Sequence, residues 1–136
     1  MVKEIIHDPV FLARHGEDAC PGDVTVADNL LDTLRANAER CVGMAANMIG
    51  VQKRIIVFDD GGKYAEMFNP EIIAQSAPYN VEEGCLSLSG TRKTVRYGKI
   101  KVRWQDRAFR VKIKTFTGFT AQIIQHEIDH TNGILI

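Results

Sequence analysis

The sequence predicts an α+β fold: small antiparallel sheets packed around a C-terminal helix, with a second helix near the N-terminus. Three observations carry this. Apolar residues recur at helical spacing only near the start and the end of the chain; the stretch between reads as short β-branched runs; and turn residues punctuate that stretch closely. Strands gathered between two helices belong to the α+β class. A single domain over 1–136 is expected, because no repeat, low-complexity tract or Ser/Pro-rich linker divides the 136 residues.

Residues 1–22 are broken by Pro9, Gly16, Pro21 and Gly22 and should form turns and extended pieces. Thr25 then caps a helix, with Asp28 as a weaker form of the capping box. Ala27, Leu30, Leu31, Leu34 and Ala38 share its inner face, Asp32, Arg35 and Glu39 face away, and Gly43 ends or follows it. Residues 55–58 are a β-branched run stopped by Asp59, Asp60, Gly61 and Gly62. Asn69 and Pro70 make a turn ahead of Ile72 and Ile73. Val95, Tyr97, Val102 and Trp104, set against Arg96, Lys101 and Arg103, give a period of two that breaks near Gly98. Phe109, Val111, Ile113 and Thr115 alternate with Arg110, Lys112 and Lys114, and residues 105–108 are the hairpin turn between these strands. A last helix runs from about Thr120 to Thr131, with Gly133 just past its end.

Composition narrows the function classes. Hydrophobic content of 45% and charged content of 25% are those of a folded globular protein rather than a disordered one. A formal net charge of zero gives the molecule no bulk attraction to nucleic acid or anionic lipid. No apolar run approaches the roughly 20 residues that span a bilayer, and the N-terminus has no apolar signal region. A cytoplasmic location without membrane contact is therefore expected. Cys20, Cys41 and Cys85, odd in number and irregularly spaced, are free for packing or metal rather than a disulfide framework. Basic residues concentrate between Arg92 and Lys114. Their alternation with apolar residues fits the wet face of a sheet. Without interleaved aromatics or a motif, no specific nucleic acid is expected.

His126, Glu127 and His130 form an HExxH motif. Positions four apart lie one turn apart on a helix, so both imidazoles can reach one ion, with Glu127 beside a water held there. Phe119, Ile123, His126 and His130 fall on one stripe, so the histidines continue a buried apolar face. The motif also arises by chance, as two histidines on a polar face. Burial in line with Phe119 and Ile123 weighs against that, because buried imidazoles without partners are costly.

A catalytic site of this kind takes three protein ligands and keeps one position open. After His130 only six residues follow, none with a ligating side chain, so the third ligand must lie upstream. Cys85 is the best candidate: Gly84 before it allows close backbone approach, and a thiolate is a strong ligand. Cys41 reads as a small core residue, Cys20 as loop packing, and His7 and His15 as surface residues.

Three segments together resemble the peptide deformylases, which remove the N-formyl group from nascent bacterial polypeptides. Residues 43–50 are similar to that family's glycine-alanine motif, 83–87 match its cysteine motif, and 125–130 match its HExxH motif, in family order. The resemblance covers nearly the whole chain. It implies one divalent ion, Fe2+ natively, with Zn2+, Ni2+ or Co2+ in a purified sample, held by Cys85, His126 and His130. It implies Glu127 as general base and then acid, and the Leu86 backbone N–H as oxyanion donor. An extended formylated nascent polypeptide would pair near Val42 and Gly43, with Gly84 beside it and Val42, Phe119 and Ile123 receiving the first side chain. Arg92 falls where the family has an arginine supporting the site; alone it would pass for a surface charge. A transient contact with the ribosome is also expected, without the C-terminal helix that some deformylases use.

One position departs from the pattern. Active members carry a glutamine where this chain has Met48, and a thioether has no hydrogen to donate. Asn47 is the adjacent amide that could replace it. The expected function is metal-dependent removal of formyl from formyl-methionyl peptides with release of formate. The alternative is a divergent deformylase-like metal-binding protein with weak or lost turnover, or one acting on another small acyl amide. A protease cutting internal bonds is disfavoured, since so small a domain leaves little room for a long cleft.

Overall fold

The computed structural model describes residues 1–135. In chain order the elements are helix α1 (Pro9–Leu12), helix α2 (Val24–Ala36), strands β1 (Gly43–Ala45), β2 (Ile55–Asp60), β3 (Lys63–Cys85), β4 (Leu88–Gln105) and β5 (Val111–Thr117), and helix α3 (Gly118–Thr131). The strands pair antiparallel, each with the next, in one five-stranded sheet ordered β1-β2-β3-β4-β5. The several small sheets expected from the sequence are therefore one continuous sheet.

The long β3–β4 hairpin explains the difference. Asn69 and Pro70 do not end β3; Asn69 takes φ 53° and the register steps between Phe68 and Glu71, so the strand bulges and continues. The Asn69 side chain supports that conformation, accepting from the Ala19 N–H at 2.7 Å and donating to Gln105 Oε1 at 2.8 Å. A second step follows between Ile72 and Ala74. Both irregularities sit on β3, and a third, between Gly84 and Cys85, falls at the start of β4, so β4 keeps an unbroken period of two from Thr91 to Gln105. The break placed near Gly98 does not exist. Arg96 consequently lines up with Ile100 and Val102 on the buried side, while Val95 is exposed.

Helix α2 begins at Val24, after a short 3-10 turn over Pro21–Asp23, and Asp23 rather than Thr25 occupies the cap position. It ends at Ala36, leaving Ala38 outside and exposed, and Gly43 opens β1 instead of closing the helix. In β5 the alternating apolar residues Val111 and Ile113 face solvent and Phe116 alone turns inward, as an edge strand allows. Phe109 lies in the hairpin connection at φ 58°, with its ring 5.0 Å from that of Phe68. The connection therefore runs past residues 105–108.

Strand β2 is apolar on both faces because both are covered. Ile55 and Val57 join Leu30, Leu34, Met44, Met48 and Phe68 in a core under α2. Ile56 and Phe58 join Met67, Ile100, Val102, Ile124 and Ile128 in a core under α3. Helix α3 is locked onto β4 by Gln125, whose amide exchanges hydrogen bonds with the Tyr97 backbone at 2.8 Å in both directions. This fixes the face that α3 presents to the end of β3.

Candidate active site

Gly118, at φ 63°, turns the chain from β5 into α3 without the steric penalty any other residue meets there. Eight residues further on, His126 is 8% exposed, and His130 is fully buried. Cys85 closes β3 opposite them. Its Sγ lies 3.2 Å from His130 Nε2, and that nitrogen lies 3.2 Å from His126 Nε2. The three donor atoms all fall within 4.8 Å of one another, so residues 41 to 45 positions apart in the chain converge as expected.

The donor set fits a divalent ion. Two ring nitrogens and a sulfur face one point, and a borderline metal takes both imidazole and thiolate. Burial and the neighbouring His126 push His130 down to about 3, leaving a neutral imidazole. Glu127 is 4% exposed, and its Oε1 has no hydrogen-bond partner among the described residues. Such an orphaned buried carboxylate oxygen is what an incoming water would satisfy. Burial raises the Glu127 carboxyl to about 7.

A buried polar layer supports the histidines, and most of it was missed from sequence. Glu83 Oε1 takes His126 Nδ1 at 2.8 Å. Arg96 clamps Glu83 through Nε at 3.0 Å and Nη2 at 2.7 Å, and donates through Nη1 to Asp129. Burial would raise the Glu83 carboxyl, but the bonds from His126 and Arg96 outweigh it and hold it down at about 2. Arg96 is thus the arginine that contacts this layer, whereas Arg92, expected to support the site, stands apart from it. Arg92 pairs across the hairpin with Glu83 on the backbone, while its side chain reaches only the Ser89 carbonyl at 3.5 Å. Unbroken alternation along β4 was the signal that would have identified Arg96.

Beside the three donors opens a cavity of about 230 Å³. Val42, Gly43, Met48, Gly84, Leu86, Phe119 and Ile123 all border it, as do Gln122 and Cys41, which sequence reasoning had not placed there; Arg92 does not. Phe119 is 62% exposed, so the buried stripe begins at Ile123 and Phe119 stands at the rim. The glycine that close approach requires is Gly43. A Cβ there would sit 2.7 Å from Ile123 and 2.9 Å from Glu127 Oε2, whereas one on Gly84 would meet nothing nearer than 3.5 Å. Met48 is buried, and its Sδ accepts from the Ala45 N–H at 3.5 Å. Asn47 cannot stand in for a missing donor, because its amide nitrogen is spent on the His130 carbonyl at 2.8 Å, with the Leu12 carbonyl at 3.5 Å. Cys41 donates its thiol hydrogen to the Gly43 carbonyl at 2.8 Å, and burial pushes it up to about 12. His7 and His15 are exposed as expected, His7 with Nδ1 2.9 Å from the Ser87 carbonyl, and Cys20, expected to pack within its loop, is exposed as well.

Comparison with known proteins decides the family. The model of the polypeptide deformylase family matches residues 8–136. The chain belongs to the peptide deformylase family. It is 55% identical over 136 residues to a peptide deformylase of Clostridium beijerinckii, covering all of both chains. It is 45% identical to one of Halothermothrix orenii, covering 96% of this chain and 86% of that one. Among solved structures, a Met-Ala-Ser-bound class I type b peptide deformylase of Acinetobacter baumannii superposes with a TM-score of 0.89 at 27% identity, covering 99% and 97% of the two chains. A peptide deformylase of Thermotoga maritima gives 0.87 at 28% identity, covering 99% and 95%. The peptide deformylase family is metal-dependent, and the chain is a hydrolase of that family, acting on the N-formyl amide. No helix among the described residues is long and apolar enough to cross a membrane.

Proposed function

We propose that the chain hydrolyses the formyl group from formyl-methionyl nascent peptides, using one divalent ion held by Cys85, His126 and His130. The observation that carries this is the convergence of a sulfur and two ring nitrogens beside a buried carboxylate with one unpartnered oxygen. When bound, such an ion supplies Lewis acidity and makes water acidic enough to lose a proton near neutral pH. Fe2+ is the native ion in this reading; the cytoplasm, in transient contact with the ribosome, is its setting.

The chain's own groups then divide the work. Glu127 takes a proton from water as the water oxygen bonds to the formyl carbon, and returns it to the amine nitrogen as the C–N bond breaks. Formate and a free N-terminus result. The Leu86 N–H donates to the carbonyl oxygen as charge develops there. Strand β1 is the outermost strand of the sheet, so an extended peptide can add alongside Val42 and Gly43. Its first side chain then enters between Val42, Phe119 and Ile123. Gly84 borders the same space.

A second reading, weak turnover in a retained metal site, is favoured by Met48 accepting rather than donating and by the committed amide of Asn47. The test measures formate release from formyl-Met-Ala-Ser by anaerobically iron-loaded protein. Expected is metal-dependent release that Glu127→Gln abolishes while the bound metal stays stoichiometric. Release unaffected by Glu127→Gln would remove the carboxylate from its role, and none from metal-replete wild type would favour the second reading.

A further inference from the structure

Helix α3 presents a third polar side chain on the face of His126 and His130. Gln122 lies one turn ahead of His126, since residues four apart stack along a helix. It borders the cavity between Phe119 and Ile123 and is half-buried. Its partners fix which way the amide points. A carboxylate only accepts, so Nε2 faces Glu83 Oε2, at 3.0 Å. Oε1 is left for the Tyr79 hydroxyl, at 3.2 Å. An amide nitrogen carries two hydrogens. One goes to Glu83, and the other has no partner among the described residues.

Resting on the formyl-methionyl reading above, we propose that Gln122 is a specificity-determining residue whose second amide hydrogen donates to the sulfur of the substrate's first side chain. Val42, Phe119 and Ile123, the expected receivers of that side chain, offer it apolar walls, while Arg40, Glu82 and Glu83 also border the cavity. Such walls alone cannot tell a thioether from a methylene. The reach agrees. Five bonds separate a formyl carbon from the methionine sulfur, roughly 6 Å when extended, against about 6 Å for the four-residue helical rise between Gln122 and His126. Tyr79 and Glu83 hold the amide in place, so little rotamer freedom is lost when the contact forms. Sulfur is a weak acceptor, so the preference should be about three- to fivefold.

Norleucine tests this, because it replaces the sulfur with a methylene of similar shape. The metal-loaded protein is assayed for kcat/KM on formyl-Met-Ala-Ser and formyl-Nle-Ala-Ser, and by calorimetry for its affinity for the two deformylated peptides. Wild type should favour methionine about three- to fivefold in both measurements. Gln122→Leu should bring both ratios to about one, and Tyr79→Phe should give an intermediate value. Each ratio is internal to its variant, so a general loss of activity cancels. A wild-type ratio of one, or a ratio that survives Gln122→Leu, overturns the proposal. If neither formylated peptide yields formate, the hydrolytic reading fails, and the calorimetric ratio still decides the role of Gln122.

Discussion

At position 48 a thioether lies buried against the cavity where active relatives are expected to carry a carboxamide, and its sulfur takes a backbone hydrogen instead of offering one. Loss of one oxyanion donor typically lowers the rate about 10²–10³-fold. Methionine and glutamine are close in length and volume, so Met48→Gln should leave the fold intact and raise kcat by about 10²-fold with little change in KM. Steady-state formate release by both proteins at equal metal content checks this. An unchanged kcat would mean that the oxyanion is already fully satisfied by other donors. At this scale the sequence was most legible where chemistry is local. The spacing of His126 and His130 follows from one helical turn, and Cys85 was legible from the glycine before it and the ligating strength of a thiolate. Partners brought in by tertiary packing were not legible. Nothing near Asn47 in sequence announces that its amide belongs to the carbonyl of His130.

Between elements, the deciding feature is the pleat of β4, unbroken from Thr91 to Gln105. It carries Arg96 inward to 3% exposure, where it joins Glu83 at the end of β3 to Asp129 on α3. A supposed break at Gly98 placed Arg96 on the wet face, and the resemblance to the family gave the supporting role to Arg92. The helices and β2 were readable because their apolar patterns match their own periods. The course of β3 was not, since Asn69 and Pro70 carry a turn signal that the sheet absorbs as a bulge. Arg96→Met should therefore act on two quantities at once. Two carboxylates would be left buried or half-buried without their partner, a loss of about 3–5 kcal/mol in urea unfolding. His126 would also lose its oriented acceptor, lowering metal affinity by about 10- to 100-fold in competition with a chelator. Stability and affinity both within error of wild type would show that the clamp contributes nothing.

Across the whole molecule, the donor cluster ties the far end of the β3–β4 hairpin to the C-terminal helix, so its protonation bears on global stability. In the metal-free protein, burial works against a charged His126, but contacts with Cys85 and Glu83 outweigh it and raise the ring to about 10, above its ordinary 6.5. A base raised on folding contributes stability that is complete below its unfolded value and is lost as pH climbs through the folded value. The loss therefore spans the interval from 6.5 to about 10. Other shifted groups leave most of that interval clear. Glu127 finishes titrating near 7, Glu83 and His130 change only in acid, and Cys41 begins above its ordinary 9.0. From pH 7 to 9 the metal-free protein should thus lose up to about 1.4 kcal/mol per pH unit, read from urea midpoints. With the ion held, His126 must be neutral to ligate, and the slope should vanish while the midpoint rises. Glu83→Gln removes the carboxylate facing His126 and should flatten the metal-free slope in the same way. A metal-free profile already flat between pH 7 and 9 would show that His126 enters the fold neutral, with Glu83 merely accepting its Nδ1 hydrogen.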